Sequence, residues 1–205
     1  MHNAFDTPSD VAFTPSVKAL QTQKGSREAY ARMEQSRGWE TRITAELKAF
    51  IEAQTSVFLA TANSQGQPYI QHRGGPPGFL HVLDEHTIAF ADFAGNRQYI
   101  TTGNLAENAK AHLFLIDYAN QRRVKIWCTA EAIEGDLALQ KQLTPPDYRA
   151  RVERVIRLTV VAWDANCPQH IPQKIDATDI ERALALRDQR IAELESKLKK
   201  FTTSD

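Results

Sequence analysis

Residues 155–163 read Val155-Ile156-Arg157-Leu158-Thr159-Val160-Val161-Ala162-Trp163. Ile156, Leu158, Val160 and Ala162 fall on one side of an extended chain, and Arg157, Thr159, Val161 and Trp163 on the other. Successive side chains of a strand point to opposite faces, so this run predicts a strand with one apolar face. Working back toward the N-terminus, shorter runs of the same kind recur at Val124–Glu131, His112–Ile116, Thr87–Ala91, Phe79–Leu83, Gln67–Arg73 and Ser56–Ala62. Between the last two lies Asn63-Ser64-Gln65-Gly66, a hairpin turn with Gly66 where a positive φ is expected. Six or seven short strands with mostly short links predict a mainly β fold, an antiparallel sheet closed into a small barrel. The strands do not alternate with regular helices, which argues against a doubly wound parallel sheet.

Helical signals sit around this sheet. Thr44 reads as an N-cap, with Leu47, Phe50 and Ile51 on one helix face behind it. Helical inserts are expected around Ile100–Ala109 and Asp136–Val152. Thr14-Pro15 opens a short helix, Gly25-Ser26 interrupts it, and a second amphipathic stretch runs to about Gln35. This N-terminal segment is either an arm packed over a neighbour or partner subunit, or a loose tail. Near the C-terminus Ile180, Leu184, Arg187, Ile191, Leu194 and Leu198 form a heptad seam with one polar position. Thr178 and Glu181 read as a capping box at its start. Such a helix pairs with a partner chain or lies on its own barrel. The chain therefore divides into an arm (1–43), a barrel (44–175) and a C-terminal amphipathic helix (176–205).

The 205 residues carry 25 Lys+Arg against 25 Asp+Glu. A neutral chain has no bulk attraction for nucleic acid or an anionic membrane, so neither is expected as a partner. No apolar stretch approaches the ~20 residues of a membrane helix. The start, Met1-His2-Asn3-Ala4-Phe5-Asp6, lacks the pattern of a signal peptide. Two cysteines, Cys128 and Cys167, are too few for a disulfide framework. Together these features predict a cytoplasmic protein. Nucleotide-loop, zinc-protease and nucleophile-elbow motifs are absent. Cys167-Pro168-Gln169-His170 offers only two metal-type ligands, so no metal site is expected.

Two segments carry chemistry. In Gln71-His72-Arg73-Gly74-Gly75-Pro76-Pro77-Gly78-Phe79, a strand runs into His and Arg and then into backbone stripped of side chains. Glycines would let a flat or anionic ligand approach the main chain; a wide turn is the plainer explanation. In Ala91-Asp92-Phe93-Ala94-Gly95-Asn96-Arg97-Gln98-Tyr99, a strand turns into a helix start, where free N–H groups and a cation suit a phosphate. A third basic group, Arg122-Arg123-Val124-Lys125, enters another strand.

In their order, these motifs resemble the pyridoxamine 5'-phosphate oxidase-like, FMN-binding split-barrel family, over roughly Thr44 to Ile175. Leu59-Ala60-Thr61-Ala62 with Gly66-Gln67-Pro68-Tyr69 is similar to its first hairpin. Asn96-Arg97-Gln98 stands at its phosphate grip, followed by a similar helix at Gly103–Asn108, and Arg123–Glu131 is similar to its next strand. Trp163–Pro172 resembles the C-terminal signature of a bacterial subgroup mostly lacking assigned substrates.

The resemblance implies a split barrel and a homodimer with FMN at the subunit interface. By position, Gln71, His72, Arg73 and Gly74 would line the flavin ring, and Ala91 and Asp92 would lie beneath the ring or ribityl chain. Asn96, Arg97 and Gln98 would hold the phosphate, and Arg123 and Lys125 would reach the cofactor from another strand. Trp163, Gln169 and His170 are further cofactor-binding candidates. Gln98 and Pro76 stand where the oxidase has lysines, and Gln71 where it has an arginine. The oxidase's C-terminal Arg-x-His substrate pattern is missing, so the resemblance does not extend to pyridoxamine phosphate oxidation itself. The expected function is an FMN-dependent oxidoreductase of unassigned substrate and catalytic residues. The alternatives are FAD, deazaflavin or heme on the same barrel, or a non-catalytic sensor or interaction protein that binds flavin or heme.

Overall fold

The computed structural model describes residues 6–166 and 168–202. The strands are β1 (Ser56–Ala62), β2 (Pro68–Gly74), β3 (His81–Asp84), β4 (Thr87–Phe93), β5 (Lys110–Asp117), β6 (Arg122–Ile133) and β7 (Val152–Asn166). The helices are α1 (Pro15–Gln23), α2 (Arg27–Ser36), α3 (Ala45–Glu52), α4 (Ile100–Glu107), α5 (Leu137–Leu143) and α6 (Ala177–Thr202). The strands form one seven-stranded sheet in the order β2-β1-β5-β6-β7-β4-β3. It is mainly antiparallel β with peripheral helices, and β2 and β3 are left as edges, as in a split barrel.

The alternation read in β7 is the register of the core. Ile156, Leu158, Val160 and Ala162 are buried, as are Val57 and Leu59 of β1 and Ile88 and Phe90 of β4. Full burial of each of these side chains larger than alanine is worth about 1.5–3 kcal/mol. Strand β4 is buried on both faces because α5 covers its outer one. Leu143 and Leu139 pack there with Ala89, Ala91 and Val155. Helix α5 starts where Asp136 Oδ1 accepts from the Leu139 N–H at 2.9 Å. Helix α3 starts the same way, Thr44 Oγ1 accepting from the Leu47 N–H at 3.2 Å, and buries Leu47, Phe50 and Ile51.

Several boundaries differ from the sequence reading. Strand β3 begins at His81, because Phe79 and Leu80 belong to a turn that buries both side chains in the core. Gly78 (φ 86°) supplies the left-handed residue of that turn. Gly75 is held by packing: a Cβ there would lie 2.6 Å from Phe79 Cβ. Strand β7 starts at Val152, within the stretch expected to be helical. Thr178 lies inside α6, and the helix is instead closed by the Asp176 carbonyl, which accepts from the Asp179 and Ile180 N–H groups.

The described residues fall into two compact units. The first runs to Ile116 and resumes at Arg123 until the end of β7. It includes the N-terminal helices: Phe13 packs on Trp39 (5.1 Å between centroids), and Trp39 stacks on Trp127 of β6 (4.5 Å). The second unit takes Asp117–Arg122 and the chain from Pro168 onward. Within it, Gln121 donates to the Ile171 carbonyl, Gln173 donates to the Ala119 carbonyl, and Lys174 sits over the Tyr118 ring. Among the described residues no helix is long and apolar enough to cross a membrane.

His112 of β5 meets Trp127 edge-on at 4.9 Å. Burial, helped by the Lys125 charge, pushes its imidazole below the ordinary 6.5. The folded state therefore binds this proton less readily than the unfolded chain, so stability is present above pH 6.5 and is lost as pH falls below it. Thermal melts from pH 7.5 to 5 are expected to show this loss, and His112→Gln should flatten it. An unchanged pH dependence would show that the loss has another source.

Candidate functional site

Strands β2, β4 and β7 each carry a charge on the inward side. Asp92 continues the buried parity of Ile88 and Phe90, and Arg154 that of Ile156 and Leu158. Asp92 and Arg154 are cross-strand partners. Arg73 pairs with buried Val57 of β1. Arg73 Nη1 lies 3.3 Å from Asp92 Oδ1, and Arg154 Nε lies 3.8 Å from Asp92 Oδ2. Because β2 and β4 are far apart in strand order, the first of these contacts shows the sheet curling until its halves meet through side chains. The side chains of Arg73, Asp92 and Arg154 are only 17%, 11% and 7% exposed.

Helix α4 rests on this cluster. Arg154 Nη1 donates to Thr102 Oγ1 at 2.8 Å, Arg73 Nη2 donates to Thr101 Oγ1 at 3.4 Å, and the Arg154 guanidinium stacks over the Tyr99 ring at 5.1 Å. Asn104 Nδ2 donates to Thr61 Oγ1 and ties the helix to β1. A cleft opens here, lined by Tyr69, Gln71, Arg73, Asp92, Phe93, the loop Gly95–Gln98, Tyr99, Ile100, Thr101, Thr102, Glu153 and Arg154. A second is lined by His72, Arg73, Gly74, Phe79, Phe90, Ala91, Asp92 and Phe93. The two share Arg73, Asp92 and Phe93.

The first cleft is lined by three guanidiniums (Arg73, Arg97, Arg154) and two carboxylates (Asp92, Glu153), a net positive wall. Arg73 Nε, Arg154 Nε and Asp92 Oδ1 are buried without a hydrogen-bond partner among the described residues. Buried polar atoms are nearly always satisfied, so these three leave hydrogen-bonding capacity unused within the cluster. Burial pushes the Asp92 carboxyl up, and the nearby Arg73 and Arg154 charges only partly oppose this.

Gln71, Asn96, Arg97 and Gln98 all line the first cleft. Asn96 Oδ1 accepts from the Gln98 N–H at 3.2 Å and shapes the loop, while Arg97, at φ 58°, is exposed with Nε 3.8 Å from Glu153 Oε1. His72 has the opposite parity to Arg73, meeting Phe58 edge-on and bonded through Nε2 to Ser56 Oγ at 2.8 Å, yet it lines the second cleft with Gly74 and Ala91. Arg123, Lys125 and Trp163 line neither cleft. Lys125 pairs with Asp164 at 3.0 Å and sits over Trp39 and Trp127. Trp163 Nε1 donates to the Arg42 carbonyl at 2.9 Å. Gln169 and His170 are exposed residues of the second unit, in a turn where His170 takes φ 65°. Cys167 lies outside the described residues. The sequence reading missed Arg154, Glu153, Tyr99, Thr101 and Thr102. The signal for Arg154 was there: extending the parity Ala162, Val160, Leu158, Ile156 backward lands on it.

Residues 43–167 match the family described as pyridoxamine 5'-phosphate oxidase. The chain belongs to this family. The matched segment contains both clefts and every residue lining them. No curated protein matches the chain. Among solved structures, HupZ of Group A Streptococcus is similar at 22% identity and a TM-score of 0.48, covering 65% of this chain and 99% of that one. An FMN-binding protein from Syntrophomonas wolfei is similar at 12% identity and a TM-score of 0.48, covering 72% and 97%. HutZ, the heme storage protein from Vibrio cholerae, is similar at 18% identity and a TM-score of 0.39, covering 58% and 90%. At these identities and scores, none of the three bears on what this family member binds.

Proposed function

We propose that this family member is an FMN-dependent oxidoreductase, with the phosphate of FMN in the first cleft and its ring against the second. The observation that carries the reading is the pair of buried guanidiniums, Arg73 and Arg154, whose Nε atoms have no hydrogen-bond partner among the described residues. A phosphate offers what these donors lack: several acceptor oxygens and a negative charge suited to guanidinium forks. The start of α4 adds the first-turn N–H groups of Ile100, Thr101 and Thr102. Gly74, Phe79 and Phe93 give the second cleft a wall suited to a flat apolar ring. FMN, when bound, supplies the electron transfer. The chain's own groups bind and orient it: Arg73 and Arg154 neutralise the phosphate, Arg97 closes over it from the loop, and the apolar wall keeps water from one side of the ring.

The proposal includes a homodimer with the cofactor at its interface. Heme on the same site is less well supported. Among the described residues His72 is the one histidine on either wall, and its Nε2 is already bonded to Ser56. The visible spectrum of the purified protein mixed with FMN separates these readings. Flavin bands that stay with the protein through gel filtration support the proposal; a Soret band, or no retained chromophore, contradicts it. Turnover of NAD(P)H by the FMN-loaded protein separates an oxidoreductase from a non-catalytic flavin binder.

Arg97 is more than half exposed, so its contribution is discounted for solvent. Arg97→Ala is expected to weaken FMN binding by about 1.5 kcal/mol, the low end for a hydrogen bond to a charged group. Fluorescence titration checks this, and an unchanged affinity would remove Arg97 from the site.

A further inference from the structure

Helix α6 is 26 residues long, from Ala177 to Thr202. At 1.5 Å per residue it extends about 39 Å. Along it Leu184, Ile191 and Leu198 occupy heptad position a, and Ile180, Arg187 and Leu194 occupy position d. Ile180, Leu184, Ile191 and Leu194 are 46%, 42%, 46% and 49% exposed. Apolar side chains in an exposed stripe, interrupted here only by Arg187, mark an interaction surface.

The flanks of this stripe are sorted by charge. Position e holds Glu181, Asp188 and Glu195, all acidic, whereas position g holds Ala183, Arg190 and Lys197, none acidic. We propose that α6 pairs with α6 of a second copy of this chain as a parallel, in-register, two-stranded coiled coil. In a parallel pair each g position faces the e position of the next heptad on the other helix, which sets Arg190 opposite Glu195 and repeats the pair by symmetry. In an antiparallel pair e faces e and g faces g, which sets acid against acid and base against base. The charge pattern therefore complements itself in one orientation only.

Arg187 fits the same arrangement. A two-stranded seam leaves its d layer open at the flank, where the e position of the other helix lies. The Arg187 guanidinium there reaches water and Asp188 of the second copy. A charged seam residue costs stability and fixes register. In the single chain Arg190 pairs with Glu193 at 2.9 Å, an exposed contact that it gives up readily. The pairing is independent of what the clefts bind.

The test uses the full chain carrying Cys167→Ser, which leaves the buried Cys128 as the one native thiol. In this background Leu194→Cys, at position d, should form a disulfide between two copies under mild oxidation. Ser196→Cys, on the outer face at position f, should not. Ile180→Cys repeats the test at another d position should Leu194→Cys weaken the helix. Adding Glu195→Lys should lower the Leu194→Cys yield several-fold, and adding Arg190→Glu to that variant should restore it. Failure of both d-position thiols to cross-link, equal cross-linking at Ser196→Cys, or no response to the charge reversals would overturn the proposal. Pairing with a different protein alone would appear as a chain that does not cross-link to itself.

Discussion

FMN is expected to bind the Arg154→Met variant about a hundredfold more weakly than the native chain, a loss of about 3 kcal/mol for a buried charged donor. Arg154 is the most enclosed cation of the site, at 7% side-chain exposure, and it serves two purposes. Its Nη1 fixes Thr102 at the start of α4, and its Nη2 holds Glu153 at 3.0 Å. Its Nε lies beside Asp92 and has no hydrogen-bond partner among the described residues. Methionine matches much of the length but removes the charge, so Asp92 keeps only Arg73. Breaking a buried pair from one side costs about 3 kcal/mol or more, and the melting temperature falls accordingly. Arg154→Lys separates binding from folding. It keeps the charge near Asp92 and loses the fork, so stability stays near native while FMN affinity drops about tenfold. Native FMN affinity in folded Arg154→Met would place the phosphate elsewhere.

Asp92→Asn should shift FMN binding in the opposite direction. The carboxylate sits between the two guanidiniums and opposes any anion that approaches them. Its removal is expected to tighten FMN binding by about 1–2 kcal/mol, about tenfold, from Coulomb repulsion at an effective dielectric near 20. Burial raises the Asp92 carboxyl above the ordinary 3.8. For a carboxyl shifted this way, the contribution to stability is fully present below pH 3.8 and is lost as pH rises through the folded value. The neutral asparagine removes that penalty but also the counter-charge of Arg73 and Arg154, so a buried pair is broken from one side, as in Arg154→Met, and the empty protein should melt lower than the native chain at pH 7. Isothermal titration and thermal melts read both effects. Weaker FMN binding would show that Asp92 holds the ligand and does not oppose it.

The sheet was legible because the apolar periods are strong. Ser56–Ala62 is a strand with the expected ends, and Thr44 caps its helix as its spacing implied. What was hidden depends on contacts between distant parts of the chain. Strand β7 begins before its apolar run, since Glu153 and Arg154 are held by ion pairs and hydrogen bonds that no local pattern announces. The glycine-rich loop suggested close approach by a ligand, but Gly75 is required by Phe79 and Gly78 by the turn. For the site, the segment Asn96–Gln98 was legible as a cation beside a helix start, and again through its resemblance to a phosphate grip, and it does line the cleft. The buried cations that give the cleft its character are Arg73, which was named, and Arg154, which was not. Arg154 was passed over because a charge at the end of an apolar strand looks like the strand's edge. The pairing of Asp92 with Arg154 across β4 and β7 shows that the buried parity of Ile156 and Leu158 continues through it.

The most direct test is a parallel titration of the full chain with FMN and with riboflavin, which differ in the phosphate alone. Both are followed by flavin fluorescence at the same salt concentration. Two buried guanidiniums committed to the phosphate predict that FMN binds at least a hundredfold more tightly than riboflavin, and that Arg154→Met removes most of this difference. Equal affinity for the two flavins, or no binding of either, would contradict the assignment of the Arg73–Asp92–Arg154 cleft as the phosphate site.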